Sequence, residues 1–195
     1  MDSSQATADA RLLARNLGRL PEPEAQPAFI VVSGLPGTGK SYFCQQLAER
    51  LPCLVLESDA LRKQLFPVPT YSVSESSRLF QTIHQLIEEL LSKGIPVVLD
   101  ATNLSERYRE RLYSIAERRN AKLILVRVEA PPGLVRERLK VRSERNETEN
   151  NSDADWAVYQ KMKPTAQKIR RKHYALDTSR DITPVLDKIV REVNR

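Results

Sequence analysis

The residues best suited to chemistry stand at 34–41 and read GLPGTGKS. Glycine takes left-handed backbone angles without a Cβ clash, so successive N–H groups can turn toward one centre. Gly34, Gly37 and Gly39 are expected to do this, with Pro36, Thr38 and Tyr42 completing the cradle. A helix beginning near Lys40 adds the positive end of its dipole. Lys40 would then reach the β- and γ-phosphates of a nucleotide, and Ser41 would bind Mg²⁺ through its hydroxyl. A strand-to-helix turn with no ligand gives no packing reason for Lys-Ser at this offset. The dinucleotide pattern G-x-G-x-x-G does not fit, because Tyr42 stands where its third glycine belongs.

Three further clusters turn phosphate binding toward transfer. In SDALRKQLF, Asp59 and Arg62 share one face of a helix. Asp59 could take the proton of an acceptor hydroxyl, and Arg62 could hold an anionic group of the acceptor. The plain alternative is a helix N-terminal aspartate near a surface arginine. In DATNLSERYRER, Asp100 ends an apolar run, at the sheet edge expected for Ser41 and Asp59. It could order the water shell of a metal or hold Asp59 and Arg62. Thr102, Asn103 and Arg107 extend the acceptor side, whereas Arg111 reads as solvated surface. In RERLKVRSER, Arg138, Arg142 and Arg145 recur at helical spacing. Such a row is commonly a solvated face. Here it leads into a polar stretch, which suits a lid, and Arg138 and Arg142 are the candidates to neutralise charge on a transferred phosphoryl group.

The elements that position these residues alternate. Short apolar runs at 29–33, 53–58, 96–100, 121–130 and 173–179 read as strands, separated by helical patterns. That order predicts a five-stranded parallel sheet with helices on both faces. The helix at 74–93 carries Leu79, Ile83, Leu86, Ile87 and Leu90 on one stripe. The helix from Asn103 to Arg119 is expected to turn Tyr108, Leu112, Ile115 and Ala116 inward, with Asn103 and Glu106 at capping-box spacing. Residues 1–27 read as an extension, with a short helix over 9–20 and a proline linker; residues 28–195 read as the main domain, with a lid over about 132–160.

Absences narrow the activity. No N/T-K-x-D stretch reads guanine, and no D-x-x-G switch follows the second strand. Ala101 follows Asp100 where many ATP-driven motors place the glutamate that activates water. Transfer to a hydroxyl therefore fits better than hydrolysis. Cys44 and Cys53 give neither a disulfide framework nor metal spacing, and read as core thiols of a cytoplasmic protein. No apolar run is long enough to span a membrane, so no membrane partner is expected.

Together, GLPGTGKS, SDALR, LDATNLSERYRERL and RERLKVR resemble the P-loop kinase group of polynucleotide 5′-hydroxyl kinases, adenylylsulfate kinases and zeta-toxin-like kinases. The similarity covers about residues 28–180, and SDALR and DATN are most similar to the polynucleotide kinases. The resemblance implies a three-layer α/β P-loop NTPase sandwich with a helical lid, using ATP and Mg²⁺. It implies Asp59 as general base, Arg62 on the phosphate beside the acceptor nucleoside, Asp100 in support, and Arg142 or Arg138 on the donor phosphates. No end-healing domain is expected beside it; Tyr71, Trp156 and Tyr159 are the candidates for stacking a base.

The expected acceptor is the 5′-hydroxyl of a polynucleotide. The net charge of +6 and the basic run over 161–173 agree with it. The alternatives are a metabolite, sugar or antibiotic alcohol, or a nucleotide-dependent switch or assembly protein. The oligomeric state is left open.

Overall fold

Period-two alternation divides the central strands between two cores. In β1 (Ala28–Ser33), Phe29 and Val31 face one side while Ile30 and Val32 face the other. In β3 (Val97–Asp100), Val97 and Leu99 divide from Val98 in the same way. With β2 (Leu54–Glu57), β4 (Lys122–Glu129) and β5 (Tyr174–Asp177) they form one sheet, ordered β2-β3-β1-β4-β5 and parallel throughout. Strands buried on both faces need helices on both, as the sequence predicts. The computed structural model describes residues 3–145 and 154–195.

One face is covered by α1 (Ser3–Arg15), α3 (Ser58–Leu65), α4 (Val73–Ser92) and α5 (Glu106–Arg118). The opposite face is covered by α2 (Lys40–Ala48) and α8 (Thr183–Val193), through Phe43, Cys44, Leu47, Leu186 and Ile189. Both cysteines are free, and burial raises both thiols, Cys53 to about 11. A third small cluster, Val135, Leu139 and Tyr159, joins α6 (Pro132–Arg145) to α7 (Trp156–Met162). These helices are the two ends of the expected lid. Its middle, 146–153, and the Arg145 side chain lie outside the described residues.

Chain order places the site. After β1 the chain crosses β3 to reach β2, and after β3 it crosses β1 to reach β4. The crevice between the carboxyl ends of β1 and β3 is therefore a topological switch point, where open α/β sheets bind ligands. Val32 stands opposite Asp100 there, and Glu57 of β2 flanks Asp100 on its other side.

Two expectations about the helices are corrected. The first helix spans Ser3–Arg15, and Ala10 and Leu13 are fully buried against the α4 side of the core rather than standing apart. In α5, Tyr108 is 55% exposed, and Arg109 is fully buried in its place. Arg109 spends its guanidinium on the Glu106 carboxylate (2.8 Å), the Asn103 carbonyl, and the carbonyls of Gln167 and Lys168 (both 2.9 Å). A buried charge satisfied this fully can replace an apolar residue. The helix starts at Glu106 with Ser105 as its cap, so Asn103 and Glu106 form no capping box.

Candidate active site

The phosphate loop is held from three sides. Gly37 (φ 75°) and Gly39 (φ 93°) take the left-handed angles expected of them. Gly34 does not; its need is closeness, since a Cβ there would stand 2.4 Å from the Val128 carbonyl oxygen. Thr38 is buried, and its hydroxyl donates to the Leu35 carbonyl (2.8 Å). Lys40 Nζ donates to the same carbonyl at 3.1 Å. Burial lowers the Lys40 pKa, and the charges of Asp100 and Asp59 oppose that shift. Both carboxylates are thus within electrostatic reach of the ammonium.

Ser41, in the first turn of α2, donates its hydroxyl to Asp100 Oδ2 at 2.6 Å. Burial raises the Asp100 carboxyl, opposed by Lys40 and the Ser41 hydroxyl. Two oxygen donors at the open end of the crevice, one of them a carboxylate, fit a hard divalent cation such as Mg²⁺. Asp100 therefore sits on Ser41 rather than on Arg62, the other role the sequence left open.

Asp59 and Arg62 lie on α3, which follows Glu57 without a break, so the end of β2 carries them straight to the cavity. Arg62 is 6% exposed and makes an ion pair with Glu75 of α4. Its Nη2 donates to Ser76 Oγ (3.3 Å), and its guanidinium lies 4.7 Å from the centre of the Tyr71 ring. Glu75 also accepts from the Thr70 amide (2.6 Å), the Thr70 hydroxyl (2.7 Å) and the Tyr71 amide (3.3 Å). Burial works to raise the Glu75 carboxyl, but the Thr70 donors and Arg62 outweigh it and hold it at about 2. Tyr71 has φ 54°, an uncommon angle for a non-glycine residue, in the loop that Glu75 pins.

Lys40, Ser41, Asp59, Arg62 and Asp100 line one cavity of about 920 Å³, with the phosphate loop at one end and Arg62, Tyr71, Ser76 and Phe80 at the other, while Gly34, Thr38 and Glu75 stand behind its wall. Pro36, Gly37, Gly39, Lys40, Ser41 and Tyr42 line it from the loop; Asp59, Asp100 and Thr102 line its floor; Arg138 and Arg142 line it from α6. Arg138 donates to the Thr178 hydroxyl (2.8 Å) and carbonyl (3.1 Å). Arg142 donates to the Ala154 carbonyl and adds its charge to those acting on Lys40.

Some expected residues do not line the cavity. Asn103 is buried behind it, donating to the Val32 carbonyl at 2.7 Å, and so ties α5 to β1. Arg107 is exposed on α5 and is not among the lining residues. Trp156 stacks on Tyr159 (4.8 Å between centres), and Tyr159 is 4% exposed, whereas Tyr71 lines the cavity. The basic run is not a continuous helix. Arg171 is ion-paired with Glu117 (2.7 Å) and Glu110 (3.4 Å), while Lys161 lines the cavity. Sequence reasoning missed Glu75 and Thr178. The Ser72-x-x-Glu75 spacing signals a helix start, and Ser72 does cap α4, but nothing local points Glu75 at Arg62.

With this geometry in view, comparison with known proteins is informative. The profile of the AAA domain family matches residues 29–169. The chain belongs to the AAA domain family. Solved structures with which this AAA domain shares its fold include kinases. The APS kinase CysC of Mycobacterium tuberculosis, in complex with AMPPNP and APS, is 17% identical, with a TM-score of 0.64 over 89% of this chain and 100% of that one. A gluconokinase from Sinorhizobium meliloti 1021 is 24% identical, with a TM-score of 0.56 over 87% of this chain and 91% of the other. Kti12 of Chaetomium thermophilum, in complex with ADP-AlF3, is 22% identical, with a TM-score of 0.64 over 85% and 98%. The AAA domain thus has the α/β P-loop NTPase fold predicted from its sequence. Among the described residues, no helix is long and apolar enough to cross a membrane.

Proposed function

We propose that this AAA domain is an ATP-dependent phosphotransferase with an alcohol as acceptor. The observation that carries the reading is the placement of Asp59 and Arg62 in one cavity with the Ser41–Asp100 pair and Lys40. Asp59 takes the proton of the acceptor hydroxyl as its oxygen bonds to the γ-phosphorus; the bond from that phosphorus to the β–γ bridging oxygen breaks, and ADP leaves. Lys40 and Arg142 neutralise charge on the donor phosphates. Ser41 and Asp100 would hold Mg²⁺, which when bound offsets charge on the β- and γ-oxygens.

Between the acceptor classes, a small-molecule alcohol is supported best. Glu75 already compensates the Arg62 charge, and Tyr71 and α7 residues help to wall the cavity. A gluconokinase and an APS kinase among the structural neighbours agree with that class. The second reading, a polynucleotide 5′-hydroxyl, is favoured by the Tyr71 ring beside Arg62, a surface on which a base could stack, and by Lys161 at the cavity.

The test is transfer of label from ATP to a panel of sugars, nucleosides and 5′-hydroxyl oligonucleotides. Labelled sugar or nucleoside with no labelled oligonucleotide supports the first reading. An oligonucleotide KM that climbs steeply with salt supports the second. ATP turnover unchanged by every acceptor would instead point to a switch or assembly protein and sink the phosphotransferase reading.

A further inference from the structure

The mechanism above leaves Thr178 unused, yet this side chain joins three parts of the site. It lies just beyond β5, is 9% exposed, and does not line the cavity. Its hydroxyl accepts from Arg138 Nη1 (2.8 Å) and donates its single proton to the Thr38 carbonyl (2.7 Å). Its backbone amide is fixed to the Glu129 carbonyl at the end of β4 (3.0 Å). Its side chain also fills the slot beside Gly39, where a Cβ would meet Thr178 atoms at 3.0, 3.1 and 3.3 Å. The neighbouring slot, beside Gly37, is filled by Leu139 and Val135 of α6. The lid helix and the end of β5 therefore bear directly on the phosphate loop.

We propose that Thr178 is a positioning residue that couples the lid helix to the phosphate loop, by holding the Thr38–Gly39 peptide in one orientation through a hydroxyl that Arg138 aims. The physics is that of a trans peptide, whose carbonyl and N–H point to opposite sides. Fixing the Thr38 carbonyl on Thr178 turns the Gly39 N–H away from Thr178, toward the anion that the loop cradles. Gly39 lacks the Cβ that would resist a flip of this peptide, so an outside bond must supply the preference. Both lid arginines line the cavity, but only Arg138 reaches Thr178, and through it the Thr38 carbonyl.

The inference rests on the phosphotransferase reading, and calorimetric titration with MgATP separates the two. Wild-type protein that binds no MgATP would sink that reading and this one together. Given binding, Thr178→Val keeps the shape but removes both bonds of the hydroxyl, and should weaken MgATP by roughly 5- to 15-fold, because the Thr38–Gly39 peptide then spends most of its time turned the wrong way. Acceptor KM should stay close to wild type, which a merely structural role, disturbing both ends of the site together, would not give. Thr178→Ser restores the hydroxyl and should recover most of the affinity. Arg138→Gln should cost a similar factor, and the double variant no more than either single change. MgATP binding unchanged in Thr178→Val, a Thr178→Ser variant as weak as Thr178→Val, or additive losses in the double variant would each overturn the coupling. Where Thr178→Val does not fold, Arg138→Gln decides, and unchanged binding there overturns it.

Discussion

The two ends of the cavity are built by opposite means. At the donor end, backbone makes the surface and neighbouring groups occupy every slot a Cβ would need: the Val128 carbonyl at Gly34, Leu139 at Gly37, Thr178 at Gly39. At the acceptor end, side chains make it. Arg62 is aimed by Glu75, and Tyr71 stands at φ 54° in a loop pinned by that same carboxylate. A cradle for a phosphate chain has one task, and rigid backbone performs it. A wall made of side chains can be rebuilt for a different alcohol by a few substitutions, while the sheet and the phosphate loop stay fixed.

Substitutions at the two ends should therefore fail differently. The largest effect is expected from Asp59→Asn, which should slow transfer by roughly 10²- to 10⁴-fold with MgATP affinity nearly intact. Transfer that survives would remove Asp59 from the role of base. Next comes Gly34→Ala, whose Cβ would stand 2.4 Å from a backbone oxygen of β4 that cannot withdraw alone. We expect a loss of about 1–3 kcal/mol in unfolding free energy, read by denaturant titration. Glu75→Gln should raise acceptor KM about tenfold while leaving the MgATP dissociation constant alone, as loss of an aiming charge implies. A matching change in MgATP binding would mean that the two ends are not separate.

Acid should act on the same carboxylate. Glu75 falls from an ordinary 4.5 to about 2 on folding, so its stabilising contribution is complete above pH 4.5 and is lost as the pH drops toward 2. Glu75→Gln should flatten the fall in melting temperature over that window, and an unchanged slope would assign it to other groups.

What was legible in the sequence follows the same division. GLPGTGKS, Asp59 with Arg62, and Asp100 at a strand end could be read because each signal is local and its spacing carries the geometry. The continuous apolar run Phe29–Val32 likewise read as a buried strand, and the structure divides it between two cores. The residues that were missed have distant partners. Thr178 meets Thr38 140 positions away, and Arg109 meets the carbonyl of Gln167 58 positions away. A helical wheel prefers Tyr108 over an arginine for the inward face, because it cannot see the carbonyls that await the guanidinium. The same blindness placed Asn103 in the acceptor site, when its amide is spent on the Val32 carbonyl.

The first helix bears on how this protein could be handled in the laboratory. The family match begins at residue 29, but Ala10 and Leu13 are seated in the core beside α4, and Asp9 grips Arg78 of that helix through two hydrogen bonds of 2.7 and 2.8 Å. Trimming the chain to the recognisable family boundary would strip the cover from an apolar stripe on the helix that carries Glu75. Such a fragment should clump with its own copies and lose the acceptor wall before the phosphate loop. The boundary of recognisable ancestry and the boundary of the folding unit are different places in this molecule.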